Sequence, residues 1–185
     1  MKAKPLGLWM LGACCAGLVG TAGLVHHELA GRSAIYLQSC MVIYPQPLPQ
    51  LCEHYFYRYH PTRQEVNELN SAAGARFAFE ARNEDEARRQ LKRYLEAGVD
   101  INAVDKQTVP VEQGMSSMST ALHQAVLGSH VMEVRVLLDF GASKDIRDAK
   151  GRTALDLARE VRMKRPSPDS DQIVRMLERT EAKQK

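Results

Sequence analysis

The chain has 185 residues, 44% of them hydrophobic and 25% charged, which is enough apolar material for one modest domain with an appendage and too little chain for a large enzyme. Its 25 lysines and arginines against 22 acids leave a formal charge of +3. The two signs are interleaved rather than gathered into a basic tract, which argues against nucleic acid as a partner. Aromatic residues are scarce beyond Tyr94, where only Phe140 remains.

The chain opens with the basic "MKAK", and Pro5 to Val25 then contains no charged residue over a length sufficient to cross a bilayer. Residues 1–25 are therefore expected to be a signal peptide or membrane anchor. Lys2 and Lys4 precede the run and only Arg32 follows closely, so the positive-inside rule leaves the N-terminus in the cytoplasm and the bulk outside. In a bacterium this predicts the inner membrane, facing the periplasm. Three fates stay open for the segment. "LGAC", Leu11 to Cys14, resembles the lipobox of bacterial lipoproteins and would make Cys14 a lipidated residue. The apolar continuation to Val25 suits a retained helix, and the small residues of "GTAG" permit ordinary cleavage.

Residues 26–70 show no clear amphipathic period, and "YPQPLPQLCEHYFYRYHPTRQ" mixes prolines with aromatics, which predicts an irregular, folded-back extension. Tyr55, Phe56, Tyr57 and Tyr59 in it need a surface to cover. Cys40 and Cys52 are the only cysteines outside the hydrophobic run, and an exported chain with one such pair is expected to join them in a disulfide. Together with His54 and His60 they also form a ligand set that zinc accepts. The short Cys-x-x-Cys clip is missing and an oxidising compartment competes for the thiols, so no metal is expected.

Further on, "TALHQA" from Thr120 and "TALDLA" from Thr153 begin thirty-three residues apart, a period that marks an internal repeat. Thr120 suits a helix N-cap, Leu122 and Ala125 share the inward face of a short helix, and Val134, Leu137 and Leu138 have the spacing of a second. Gly141 supplies the positive φ that ends it. Along nearly its whole length this unit resembles an ankyrin repeat, with Thr120, Leu122, His123, Ala125, His130, Val134, Leu137, Leu138, Gly141 and Ala142 matching the family pattern.

The resemblance implies that His123 ties adjacent loops together and is structural rather than catalytic. Before this unit, Leu91, Tyr94, Leu95, Gly98, Val99, Asp100 and Asn102 resemble the second half of another repeat, whose first helix around "ARFAFEARNEDE" departs from the motif and is expected to act as an atypical cap. After it, Thr153 opens a third repeat with Asp156 in place of the histidine, closed by a helix with Ile173, Val174 and Leu177 inward. The expected fold is all-α, a short ankyrin-repeat solenoid of helix-turn-helix pairs over 71–182, in units of about 71–105, 117–149 and 150–182. The hydrophobic segment and the irregular Cys-containing extension precede it.

Gly98 and Gly141 lie forty-three residues apart, so about ten residues are inserted within Lys106 to Ser119. A second short insertion, "RMKRPSPDS", is expected to separate the helices of the last unit, and both are expected to project as loops.

No nucleophile motif, phosphate-cradling loop or paired-carboxylate constellation is present, so neither enzyme activity, cofactor nor small-molecule substrate is expected. The resemblance implies a protein-binding surface on the loop tips and first helices, where the variable positions are Met118, Ser119, Gln124, Leu127, Arg147, Lys150 and Arg152. A small exported protein with an anchor and a repeat scaffold is similar to bacterial immunity proteins that bind and occlude a secreted toxic effector, for example a lipase. The alternative expectation is a periplasmic scaffold or chaperone for an envelope enzyme.

Overall fold

The computed structural model describes residues 25–106 and 118–182, and every extended regular element among them is helical. The hydrophobic run through Leu24, with Cys14 and its lipidation, and residues 107–117 of the first insertion lie outside the described residues. No helix among the described residues is long and apolar enough to cross a membrane. The chain divides into two units, Met1–His60 and Pro61–Lys185.

The described part of the first unit is a helical hairpin. Helix α1, Ala34–Ile43, starts where the Ser33 side chain accepts the Tyr36 N–H, and α2, Leu48–Tyr59, starts with Pro49 in its first turn, where a missing N–H costs nothing. The two helices pack on each other. Leu37, Cys40 and Met41 of α1 and Cys52 and Phe56 of α2 are buried. A disulfide joins Cys40 to Cys52 across the pair, with the Cα atoms 6.1 Å apart.

The expected irregular extension is thus corrected to ordered helix, for two physical reasons. Helix α1 carries Ile35, Tyr36, Val42 and Ile43 outward as well as Leu37, Cys40 and Met41 inward, so it has no polar side to reveal a helical period. The prolines fall in the turn and at the start of α2, positions that begin a helix rather than break one.

The second unit begins earlier than the expected boundary at residue 71. Helix α3, Arg63–Ser71, packs on a 3₁₀ segment, Gly74–Phe79, and on α4, Glu84–Ala97. Two helix pairs follow, α5, Ala121–Gly128, with α6, Val131–Asp139, and α7, Ala154–Lys164, with α8, Pro168–Ala182. They form two layers. The 3₁₀ segment, α5 and α7 lie side by side in the first, and α4, α6 and α8 back them in the second. The expected atypical cap is the 3₁₀ segment, with α3 packed against it.

The helix boundaries follow from side-chain chemistry. Thr62, Thr120 and Thr153 each accept an N–H three residues on, and Glu65, His123 and Asp156 each reach back to the capping residue's N–H, so three helices open with a reciprocal capping box. Gly98 and Gly141, at φ +103° and +88°, close α4 and α6. In both cases the glycine N–H and the next N–H return to carbonyls of the last turn, a pairing that a side chain at positive φ would strain.

Packing follows the same division. Ala75, Ala78, Ala121, Ala125, Ala154 and Ala158 are buried in the first layer, and these small side chains let the short elements approach closely. Leu91, Tyr94, Val134, Leu137, Ile173, Val174 and Leu177 fill the second layer.

The two insertions resolve differently. The second is absorbed into helix: α7 runs on through Arg162 and Lys164, and α8 begins at Pro168, so no long loop projects there. The first is held at its base, where the Met118 N–H donates to the Asp105 carbonyl at 2.7 Å and the Asp105 N–H to the Ser119 carbonyl at 2.9 Å.

Candidate functional site

The centre of the stack is organised by His123, which is buried at the start of α5. Its Nδ1 lies 3.3 Å from the Thr120 amide nitrogen, which donates to it, and Nε2 lies 3.2 Å from the Arg152 carbonyl. An amide can only donate and a carbonyl only accept, so the ring is neutral with its proton on Nε2. Burial drives its pKa below the ordinary 6.5, outweighing the hydrogen bond to the Arg152 carbonyl, which acts in the other direction.

The unfolded chain therefore takes up a proton near pH 6.5 that the folded one refuses. The contribution of this tie is full above pH 6.5 and falls on acidification, by up to about 1.4 kcal/mol per pH unit, until the folded ring itself protonates. Urea unfolding on either side of pH 6.5 is expected to show the stability gap between the parent and a His123→Gln variant narrowing as the pH drops. A gap that stays constant would contradict the neutral ring.

The loop that receives this bond is folded around Asp148. Its Oδ1 accepts the Lys150 and Arg152 N–H groups, both at 2.9 Å, and its Oδ2 takes Arg152 Nε at 2.9 Å and Nη2 at 2.7 Å. Burial alone would raise this carboxyl, but the hydrogen bonds from the Arg152 side chain and backbone outweigh it and the net shift is downward. The second guanidinium arm of Arg152 bonds Glu160 at 2.6 Å, which also receives Lys164 at 2.6 Å. Lys164 and then Arg152 hold Glu160 below the usual carboxylate range.

These groups frame a cleft of about 210 Å³ on the first-layer side of the stack, lined by Leu127, Lys150, Arg152, Leu157, Glu160, Val161, Lys164 and Arg165. Leu127, Leu157 and Val161 give it an apolar floor, and four cations stand around it. Arg152 and Lys164 are paired to Asp148 and Glu160. Lys150 and Arg165 have no carboxylate partner among the described residues, so they carry its positive excess. Arg165 also donates from Nη2 to the Leu127 carbonyl at 2.7 Å, closing the cleft between the C-terminal ends of α5 and α7.

Of the residues that the sequence nominated for partner binding, Leu127, Lys150 and Arg152 come together in this cleft. Arg152 is mostly enclosed by its two carboxylates and serves the cleft as a wall. Gln124 bonds Ser119 and receives Arg76 from the 3₁₀ segment, forming a separate polar cluster with Asp105. Ser119 is buried at the insertion's neck and Met118, at φ +64°, is exposed beside it. Arg147 is exposed and folds over its own loop onto the Gly151 carbonyl at 2.7 Å.

Asn70 was not singled out by its sequence pattern, and Asn102 was placed in the repeat pattern without a role. Asn70 links α3 to the next loop by accepting the Asp100 N–H at 2.7 Å and donating to the Gly98 carbonyl at 3.1 Å. Asn102 accepts the Ser143 N–H at 2.8 Å and so joins two loops forty-one residues apart. Asp148 and Glu160 were also missed, although their separations from Arg152 and Lys164 carry the signal of acid and base four residues apart. Among the described residues no group of histidines, cysteines and acids is placed to hold a metal ion. Cys40 and Cys52 are committed to each other.

Comparison with known proteins finds similarity in the second unit. Residues 95–158 match the family model described as ankyrin repeats in many copies. A stretch of 67 residues, 36% of this chain, is 37% identical to a Danio rerio protein that carries the palmitoyltransferase name ZDHHC13. The match covers 9% of that relative's length. The family match runs from the last turn of α4 to the middle of α7, so the stacked helix pairs rather than the amino-terminal hairpin carry the relationship, and over those residues the chain is similar to ankyrin repeats.

Proposed function

We propose that this protein is a non-enzymatic binding module, tethered to the bacterial inner membrane on its periplasmic side, that captures another protein in the cleft between α5 and α7. Ankyrin repeats are protein-interaction modules, which supports the general reading. The observation that carries the specific one is the convergence of Lys150 and Arg165, without carboxylate partners among the described residues, over the apolar floor of Leu127, Leu157 and Val161. A partner segment that offers an apolar side chain flanked by carboxylates complements it in shape and charge. The basic amino-terminal flank, the uncharged run after it and the Cys40–Cys52 disulfide support export and tethering.

Within that reading the protein acts as an immunity protein, which binds and occludes a secreted toxic effector such as a lipase. Occlusion needs affinity and location but no chemistry of its own. Deleting the protein is expected to sensitise cells to one secreted effector, and the Lys150→Glu, Arg165→Glu double variant should fail to restore protection. With the purified effector, that variant should bind about 10- to 100-fold more weakly, the effect of reversing two charges at a partly desolvated interface. Loss of activity or abundance of a resident envelope enzyme, without toxin sensitivity, would instead favour a scaffold or chaperone.

A further inference from the structure

The two helices of the amino-terminal hairpin differ in what they turn outward: α1 is apolar there, and α2 is mixed with one polar arc. On α1, Ile35, Tyr36, Val42 and Ile43 are exposed, with Ile43 at 72% of its surface. At 100° per residue, Ile35, Val42 and Ile43 fall within one arc with Ser39, and Tyr36 borders it. Helix α2 turns Gln50, His54 and Arg58 outward along one arc, with Leu51 at its edge and Tyr59 beyond it also exposed. No charged residue occurs from Ser33 to Cys52, and the charges of the hairpin, Glu28, Arg32, Glu53 and Arg58, lie toward its open end.

A helix that is apolar on all sides is stable in water only when both faces are covered. The inner face of α1 is covered by α2 and the disulfide. The chain entering this hairpin is the uncharged run from Pro5 to Val25, followed by helix over 25–30. Arg32 stacks over the Tyr36 ring at 4.9 Å where α1 begins, and His26 contacts Tyr55. Aromatic and basic residues of this kind are favoured at the boundary of a bilayer.

We propose that α1 lies flat in the lipid interface, with Ile35, Tyr36, Val42 and Ile43 among the acyl chains and the Gln50, His54 and Arg58 arc of α2 facing water. The inference rests on the membrane tether proposed above and adds a second, peripheral contact next to it. The disulfide then has a defined use: it keeps α2 fixed behind a helix whose outer face has left the aqueous phase.

The native chain supplies its own control, because its one tryptophan, Trp9, lies in the hydrophobic run. The full-length protein is reconstituted in vesicles of zwitterionic and anionic phospholipid, with and without lipid brominated near the headgroup end of its chains. Quenching of Trp9 in the parent reads the tether. In a Trp9→Phe background, Ile43→Trp reads α1 and His54→Trp reads the back of α2. Both replaced side chains are exposed, so the fold is retained, and circular dichroism checks this.

The expected result is blue-shifted emission and strong bromine quenching at position 43, with red, unquenched emission at position 54. Unquenched emission at position 43 overturns the proposal whether or not Trp9 is quenched; if it is also blue-shifted, protein rather than lipid covers the face. Quenching at position 43 with Trp9 unquenched keeps the interfacial helix and removes the tether. Equal quenching at 43 and 54 also overturns it, since the hairpin would then be immersed rather than lying on its α1 face.

Discussion

Truncating Leu137 to alanine is expected to cost the repeat stack about 2–5 kcal/mol in unfolding free energy. Leu137 is fully buried on α6, which packs against α5, α4 and α8. A cavity there is bounded by neighbours on both sides, so collapse to fill it would disturb two repeat interfaces at once. Leu177 is as deeply buried on α8, but that helix has a second-layer neighbour on one side only among the described residues. In a stack held by nearest-neighbour contacts, Leu177→Ala is expected to lose less and to fray one end, while Leu137→Ala loosens the whole stack. Urea unfolding followed by circular dichroism distinguishes the two. Equal losses with unchanged cooperativity would contradict nearest-neighbour coupling.

The second large effect is expected at Asp148, where alanine should cost about 3 kcal/mol. The lost carboxylate accepts two backbone N–H groups and two guanidinium donors, and Arg152 would be left largely enclosed with Glu160 as its remaining acid. Damage should spread, because the Arg152 carbonyl is also the acceptor for His123. The folded carboxyl titrates below its ordinary 3.8, so its contribution is complete above that pH and is lost as acid protonates the folded side chain below it. The parent and Asp148→Asn curves of stability against pH should accordingly draw together only below about pH 4. The same substitution should impair the cleft, since Lys150 and Arg152 line it from this loop.

Much of the stack was legible because its local chemistry repeats. Thr120 and Thr153 cap their helices with matching boxes, and Gly98 and Gly141 end theirs at positive φ, so spacing alone located both halves of the central unit. The amino-terminal hairpin was not legible, since amphipathic periodicity requires a polar side and α1 has none. Its proline-rich joint read as disorder of pattern when it is the start of α2. The insertion "RMKRPSPDS" was misread for a related reason: Ser167 accepts the Ser170 N–H at 3.1 Å in the first turn of α8, with Pro168 just inside it, and the charged residues ahead extend α7.

The cleft was half legible. Leu127, Lys150 and Arg152 were named from repeat position, but which nominated residues face outward depends on contacts over long sequence separations. Ser119 is withdrawn into the neck through its pairing with Asp105, and Gln124 is engaged by Arg76 from forty-eight residues away. Arg165 joined the site only because the C-terminal end of α7 folds back beside Leu127.

The central claim, that the cleft between α5 and α7 receives a protein partner, is tested most directly by photo-crosslinking from its floor. A benzophenone amino acid replaces Leu127 in the full-length protein, in intact cells exposed to the effector, with the same group at Lys92 on the outer layer as reference. One adduct of defined mass is expected from position 127, lost in the Lys150→Glu, Arg165→Glu background and missing from position 92. No adduct at 127, or one that survives the charge reversal and forms equally at 92, would contradict the cleft as the binding site.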